Sequence, residues 1–249
     1  MKSPDAYCFF QDIEPRDPMV ARFDRDYLLH AVHGALDVEI DGKRWLLPKS
    51  FAAWVPAGTT MRVSIKRPVT SCSILARSGF AHGMPDKPVA FQMSHLAREM
   101  AKHCQHWGET DTHPPEAPVF FSALLSLCAS LISGSLDVQR PTTNDPQLAR
   151  AIEYIETHFE RPLATADVAK AAALSERSLQ RRFQAEFGVG WRQVMTRIRM
   201  INAVAMLCED TASITEVSLS CGYSSPTAFG QNFKSFAGET PSAFRQRVS

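Results

Sequence analysis

The sequence has no run of eighteen apolar residues, so it offers no membrane-spanning helix. Its first stretch, MKSPDAYCFFQDIEPRDP, lacks the apolar core of a secretory signal and carries charges and prolines instead. No CxxC pair occurs; the six cysteines (Cys8, Cys72, Cys104, Cys128, Cys208 and Cys221) are scattered. That usage argues against a disulfide framework and suits small buried thiols, so the expected compartment is the reducing cytoplasm. A strong net charge is also missing. The chain is +1 over 249 residues, and from Asn144 onward 12 Lys and Arg stand against 11 Asp and Glu. Any phosphate-binding patch must therefore be local, built from Arg177, Arg181 and Arg182 and from Arg192, Arg197 and Arg199. What the chain does have is apolar content, 45%, enough for the cores of two domains.

Ser175 to Phe187, SERSLQRRFQAEF, is the most informative stretch. Ser175 is a good helix cap, because its hydroxyl can accept a backbone N–H left unpaired in the first turn. Leu179, Phe183 and Phe187 recur every four residues and form one inward stripe. Arg177, Gln180, Arg181 and Gln184 fall on the other side. Arg can bond guanine O6 and N7 together, and Gln can bond adenine N6 and N7 together. Taken alone, such a face is more often a solvated charged surface, and it is the segment before the helix that shifts the reading. Upstream, Thr165 to Leu174 reads as a second short helix capped by Thr165, with Val168, Ala169 and Ala172 inward and a tight Ala173-Leu174 connection. Two short helices, a brief turn and a polar second helix make a helix-turn-helix pattern, whose second helix enters the major groove.

The pattern repeats. Thr215 to Tyr223 matches the first helix and turn, with Val217 for Val168 and Cys221-Gly222-Tyr223 for Ala172-Ala173-Leu174. Ser225 to Phe236 matches the second helix, with Phe229 and Phe233 for Leu179 and Phe183. Such self-similarity at a fixed spacing is read as two like supersecondary units. Between them, Trp191 to Cys208 is a long helical run with Val194, Ile198, Ile201, Ala205 and Cys208 as its inner stripe.

These residues resemble the DNA-binding domain of the AraC/XylS transcription regulators. The likeness is carried by SLQRRFQAEFG at Ser178–Gly188, by RIRMINAVAMLCED at Arg197–Asp210, and by ITEVSLSCGYSSPTAFGQNFKSFAGETPSAFR at Ile214–Arg245. The closing set Phe233, Gly238, Pro241, Phe244 and Arg245 is its most specific part. The resemblance implies two helix-turn-helix units reading successive major-groove segments of double-stranded DNA. By family position, Arg177, Gln180 and Arg181 would read bases in the first unit. Pro226, Thr227, Gly230 and Gln231 occupy the corresponding places of the second, where Arg is frequent at the position of Gln231 and Gly230 has no side chain to read with. The first unit is expected to supply more base readout, and the second more positioning, through Ser225, Lys234 and backbone contacts.

Residues 7 to about 80 read as short strands. Tyr27 to Ile40 leads into Asp41-Gly42, a strong hairpin signal, and runs at 44–48, 52–56, 61–65 and 69–76 follow. Close-spaced short strands suggest a small antiparallel barrel. The run HGALDVEIDGKRWLLPKSFAAWVPAGT resembles the cupin-like sensor domain found before many such DNA-binding domains. A metal-dependent cupin enzyme fused to a helical domain is the alternative. It would need inward His-x-His, Glu and a later His. Here His30 and His33 are three apart, and Thr60-Met61 stands where the later His belongs, so no enzyme and no cofactor are expected. From Val89 to Trp107 the period turns helical, with Phe91, Leu96, Met100 and Cys104 as an apolar stripe. His95, Glu99, His103 and His106 stack on one face, a weak metal candidate near His113. Ala117 to Ser133 is apolar nearly all round, which leaves a face for burial within the chain or for a homodimer contact.

The expected fold class is α+β: an N-terminal cupin-like β-barrel with a helical appendage, then a C-terminal all-α domain of two helix-turn-helix units. The expected boundaries are 1–88 for the barrel, 89–136 for the helical segment, 137–145 for the linker and 146–249 for the DNA-binding domain, with the units at 165–187 and 214–237. The expected function is a cytoplasmic, sequence-specific DNA-binding regulator, acting as an activator or a repressor. A small-molecule effector would control it from an unassigned pocket, with RNA polymerase as a further candidate partner and no membrane partner.

Overall fold

The computed structural model describes residues 3–209 and 212–248. Asp210, the last residue of the Arg197–Asp210 run, lies outside them, as do residues 1, 2, 211 and 249. The chain divides into two compact units, one ending in sequence at Gln139 and also taking in Val248, the other running from Arg140 to Arg247. Among the described residues no helix is long and apolar enough to cross a membrane.

The N-terminal unit is a barrel of two antiparallel sheets. Its strands are β1 (Ala6–Ile13), β2 (Arg16–Arg22), β3 (Asp26–His33), β4 (Ala35–Ile40), β5 (Lys43–Pro48), β6 (Phe51–Val55), β7 (Thr60–Ile65), β8 (Val69–Ala76) and β9 (Val89–Gln92). One sheet orders them β1-β8-β3-β6-β9, and neighbours in the other run β5-β4-β7-β2. Asp41 and Gly42 both have positive φ, 51° and 72°, as the tight β4–β5 hairpin requires. The run from Tyr27 to Ile40 forms two strands in different sheets. They part at Gly34, whose φ is +76° and where a Cβ would come 2.6 Å from the Pro68 carbonyl. Only glycine fits that corner.

Helices α1 (His95–His103) and α2 (Ala117–Leu131) cover one face of the first sheet, with a short 3₁₀ turn at Cys104–His106. Leu28, Ala52, Trp54, Cys72 and Ile74 from the sheet share a core with Ala97, Ala101, Cys104, Phe121, Leu124, Leu125 and Cys128. Of the expected apolar stripe, Phe91 and Cys104 are buried and Met100 packs against the same core, but Val89–Gln92 is a strand, Leu96 is 61% exposed, and the buried residues of α1 itself are Ala97 and Ala101. Small side chains let the helix lie close on the sheet, so the larger leucine is turned outward.

The C-terminal unit is all helical: α3 (Pro146–His158), α4 (Thr165–Ala171), α5 (Glu176–Phe187), α6 (Trp191–Cys208), α7 (Ile214–Ser220), α8 (Pro226–Ala237) and α9 (Pro241–Val248). Asp145 caps α3 by accepting from the Gln147 and Leu148 amides, and Pro146 holds the first helical position. The expected inner stripe of α6 is too narrow. Trp191, Met200, Ala203, Val204 and Leu207 are buried along with Val194, Ile198, Ile201 and Cys208. A helix buried on most of its circumference has several packing neighbours, here α3, α5, α7 and α8.

Candidate nucleic-acid interface

The two helix pairs α4–α5 and α7–α8 share the backbone hydrogen bond that closes their turns. The Leu174 amide donates to the Ala169 carbonyl at 2.9 Å, and the Tyr223 amide donates to the Ser218 carbonyl at 3.1 Å. The residue before each is left-handed: Ala173 at φ 53° and Gly222 at φ 75°. Ser175 and Ser225 then cap α5 and α8, accepting from the Ser178 and Ala228 amides. Both second helices end on a left-handed glycine, Gly188 and Gly238, whose amides donate to Gln184 and Lys234 carbonyls. The second turn carries one extra residue, Ser224.

The first helices start differently. Ser213 and Glu216 form a reciprocal capping box at α7, and these N–H and hydroxyl contacts hold the Glu216 carboxyl below its ordinary pKa. The expected Thr165 cap is not made. The cap position of α4 is Ala164, which has no side-chain bond, and the Thr165 hydroxyl accepts from Arg192 Nη2 at 2.9 Å.

Leu179, Phe183, Phe229 and Phe233 are fully buried, which orients the opposite faces of α5 and α8 outward. Arg177, Gln180, Arg181 and Gln184 on α5 are exposed, as are Ser225, Pro226, Thr227, Gln231 and Lys234 on α8. Two of these have local duties. Gln184 Nε2 donates to the Gly188 carbonyl at 2.8 Å, and the Ser225 hydroxyl is the cap of α8. The phosphate-facing patch is smaller than composition suggested. Arg182 is tied to Asp145 and Gln147, at 3.2 and 2.6 Å. Arg199 is buried. Arg192 lies over the Trp191 ring and Arg197 over the Phe236 ring. The motif Phe233, Gly238, Pro241, Phe244 has a packing basis. Gly238 ends α8, Pro241 opens α9, and the Phe244 ring meets Phe233 edge-on at 5.4 Å.

Sequence reasoning missed the burial of Arg199 and the left-handed Ala173. The second could have been found, since the repeat aligns Ala173 with Gly222. The buried arginine gives no periodic signal that separates it from its exposed neighbours.

In the N-terminal unit His30 is buried and shares its face of β3 with Leu28, toward α1, while His33 is exposed. Burial pushes the His30 pKa down to about 4, against a contact of Nδ1 with the Phe51 carbonyl at 3.2 Å, and the Arg98 charge lowers it further. Thus His30 does not point into the barrel, where a metal cupin needs its ligands. The barrel side carries buried hydroxyls. Ser71 and Ser73 lie 2.9 Å apart and bond the His30 backbone at the irregularity in the β3–β8 ladder. Tyr27, bonded to Ser73, is pushed up to about 12 by burial. His95, Glu99, His103 and His106 are exposed, and the His103 ring packs against Trp107 and Phe120. Among the described residues no three His, Cys, Asp or Glu groups come together to hold a metal.

Residues 168–247 match the family described as Helix-turn-helix domain. The chain is similar to the HTH-type transcriptional regulator NimR of Escherichia coli (strain K12), 23% identical over 98% of this chain and 88% of that one. It is similar to the HTH-type transcriptional regulator GlxA of Rhizobium meliloti (strain 1021), 36% identical over 44% of this chain. That match spans about a third, 34%, of the relative's length. Among solved structures, an AraC-type DNA-binding domain-containing regulator from Chromobacterium violaceum is 29% identical, covering 42% of this chain and 93% of its own, with a TM-score of 0.41.

Proposed function

We propose, from a C-terminal unit whose residues 168–247 match the family described as Helix-turn-helix domain, that the protein is a sequence-specific DNA-binding transcription regulator of AraC type. The observation that carries this is the doubled helix pair. Its turns, serine caps and glycine ends correspond, apart from the one residue inserted at Ser224, and each pair buries one face of its second helix and leaves a polar face to solvent. In this reading α5 and α8 enter successive major-groove segments. Arg177, Gln180 and Arg181 read base edges. Thr227, Gln231 and Lys234 position the second helix, with Lys234 on phosphate.

The N-terminal unit, in the same reading, binds a small-molecule effector. Consecutive strands β1 and β2 lie at the edges of different sheets, and Phe9, Met19 and Phe23 on and beside them are partly exposed. Exposed Leu96 and Val119 on α1 and α2 offer a homodimer contact. The effector acts only to the extent that it binds one arrangement of the protein better than the other.

The test is selection of binding sites from a random duplex pool by the full-length protein, repeated with Arg181→Ala. The variant should bind the selected site about 1–3 kcal/mol more weakly and lose preference at one or two adjacent base pairs. Unchanged selectivity would remove Arg181 from the reading face. Failure of the parent protein to enrich any sequence would remove the function.

A further inference from the structure

One side chain on α6 touches the parts of the domain that place both helix pairs. Arg199 is 8% exposed. Its Nε donates to the Phe159 carbonyl at 2.9 Å, and its Nη2 donates to the Arg161 carbonyl at 3.0 Å. These oxygens lie at the end of α3 and on the segment leading into α4. The same guanidinium lies over the Tyr223 ring, 5.4 Å from its centroid. Tyr223 packs edge-on against Phe229 of α8 at 5.6 Å. Gly222 approaches so closely that a Cβ there would stand 2.6 Å from Arg199 Nη2 and 2.7 Å from the Phe159 carbonyl oxygen. A connected path thus runs from the entry of the first helix pair, through Arg199, to the turn and second helix of the other.

We infer that Arg199 is a positioning residue that fixes the offset between α5 and α8, and so sets the spacing between the two DNA segments the protein accepts. The inference rests on the DNA-binding reading above. Apolar packing on α6 is non-directional and tolerates small slides of one helix on another. A planar guanidinium bonded to two carbonyls and stacked on a ring does not, since each partner fixes a different direction. Its charge also suits the carbonyl-rich end of α3. One base pair along the duplex is about 3.4 Å per strand, so a slip of that size puts one helix against the wrong bases.

The experiment uses the full chain and the duplex that the parent protein selects from a random pool. Two derivatives carry one base pair inserted or removed between the segments under α5 and α8. The parent should lose about thirtyfold or more on each derivative, the cost of misplacing one helix's base contacts. Arg199→Lys and Arg199→Met should bind the selected duplex about tenfold more weakly, with the penalty for altered spacing falling to about threefold or less. Lys234→Ala, which removes a phosphate contact and no base contact, should weaken all three duplexes by one factor and so keep the full spacing penalty. If both Arg199 variants weaken all three duplexes by one common factor, the residue only stabilises the fold and the inference is wrong. Loss of folding in both, followed by circular dichroism, overturns it in the same way. A parent protein that selects no sequence refutes the DNA-binding reading instead, an outcome separate from intact selection with an intact spacing penalty.

Discussion

The clearest quantitative consequence of the repeat lies at its two left-handed turn residues. Ala173 and Gly222 hold the same position at φ 53° and φ 75°, but one carries a Cβ and the other does not. A left-handed backbone costs an L residue about 1–2 kcal/mol relative to glycine. Gly222→Ala incurs that cost and adds a clash, because its Cβ meets Arg199 Nη2 and the Phe159 oxygen inside 3 Å. Relief requires pulling the guanidinium off a carbonyl it bonds at 2.9 Å, which gives up a charge-assisted hydrogen bond of about 1.5–3 kcal/mol. The expected total loss is about 3 kcal/mol. Ala173→Gly removes the backbone strain and adds unfolded-chain entropy, so it should stabilise by about 0.5 kcal/mol. Hydrogen exchange of amides in α4 to α8 of the full chain measures both. Equal and opposite changes at the two sites, or a Gly222→Ala loss under about 1 kcal/mol, would refute the account of Arg199 as a packed neighbour.

The remaining expectations concern other parts of the chain. The folded-state pKa of His30, about 4, lies below the ordinary histidine value of 6.5, so the unfolded chain binds more protons between those values. Stability of the N-terminal unit should hold above pH 6.5 and fall by about 3 kcal/mol as pH drops toward 4. His30→Gln should flatten that slope in pH-dependent urea melts, and an unchanged slope would assign it to other groups. Arg140 Nη1 donates to Glu156 Oε1 at 2.8 Å, with both side chains largely buried. A fragment beginning at Val138 should therefore be more stable than one beginning at Pro141, by about 2 kcal/mol in thermal or urea melts. The Val138 fragment should be monomeric and still bind DNA, more weakly than the full chain. Loss of all binding by a folded fragment would contradict a self-sufficient C-terminal domain.

Local rules carried much of the architecture. Four-residue spacing placed Leu179 and Phe183 inward and so turned Arg177, Gln180 and Arg181 outward. Ser175 marked the cap of the second helix in the first pair, and Asp41-Gly42 marked a hairpin. These features depend on the chain's own neighbours within a few residues, and the sequence states them directly. Other assignments depended on partners far along the chain. Leu96 was expected inside, but the sheet beneath α1 admits only Ala97 and Ala101 at close approach. Thr165 was read as a cap, yet its hydroxyl is used by Arg192 from α6.

The sequence alone determined that two helix pairs of one design exist and which side of each is apolar, because periodicity and caps are short-range. Only the tertiary structure decided which arginines remain available. Arg181 is exposed, Arg182 is tied to Asp145 and Gln147, and Arg199 spans α3 and the second turn. The same side chain serves as a reader, an anchor or a strut according to what folds against it, and that is set by contacts between residues as many as 40 positions apart.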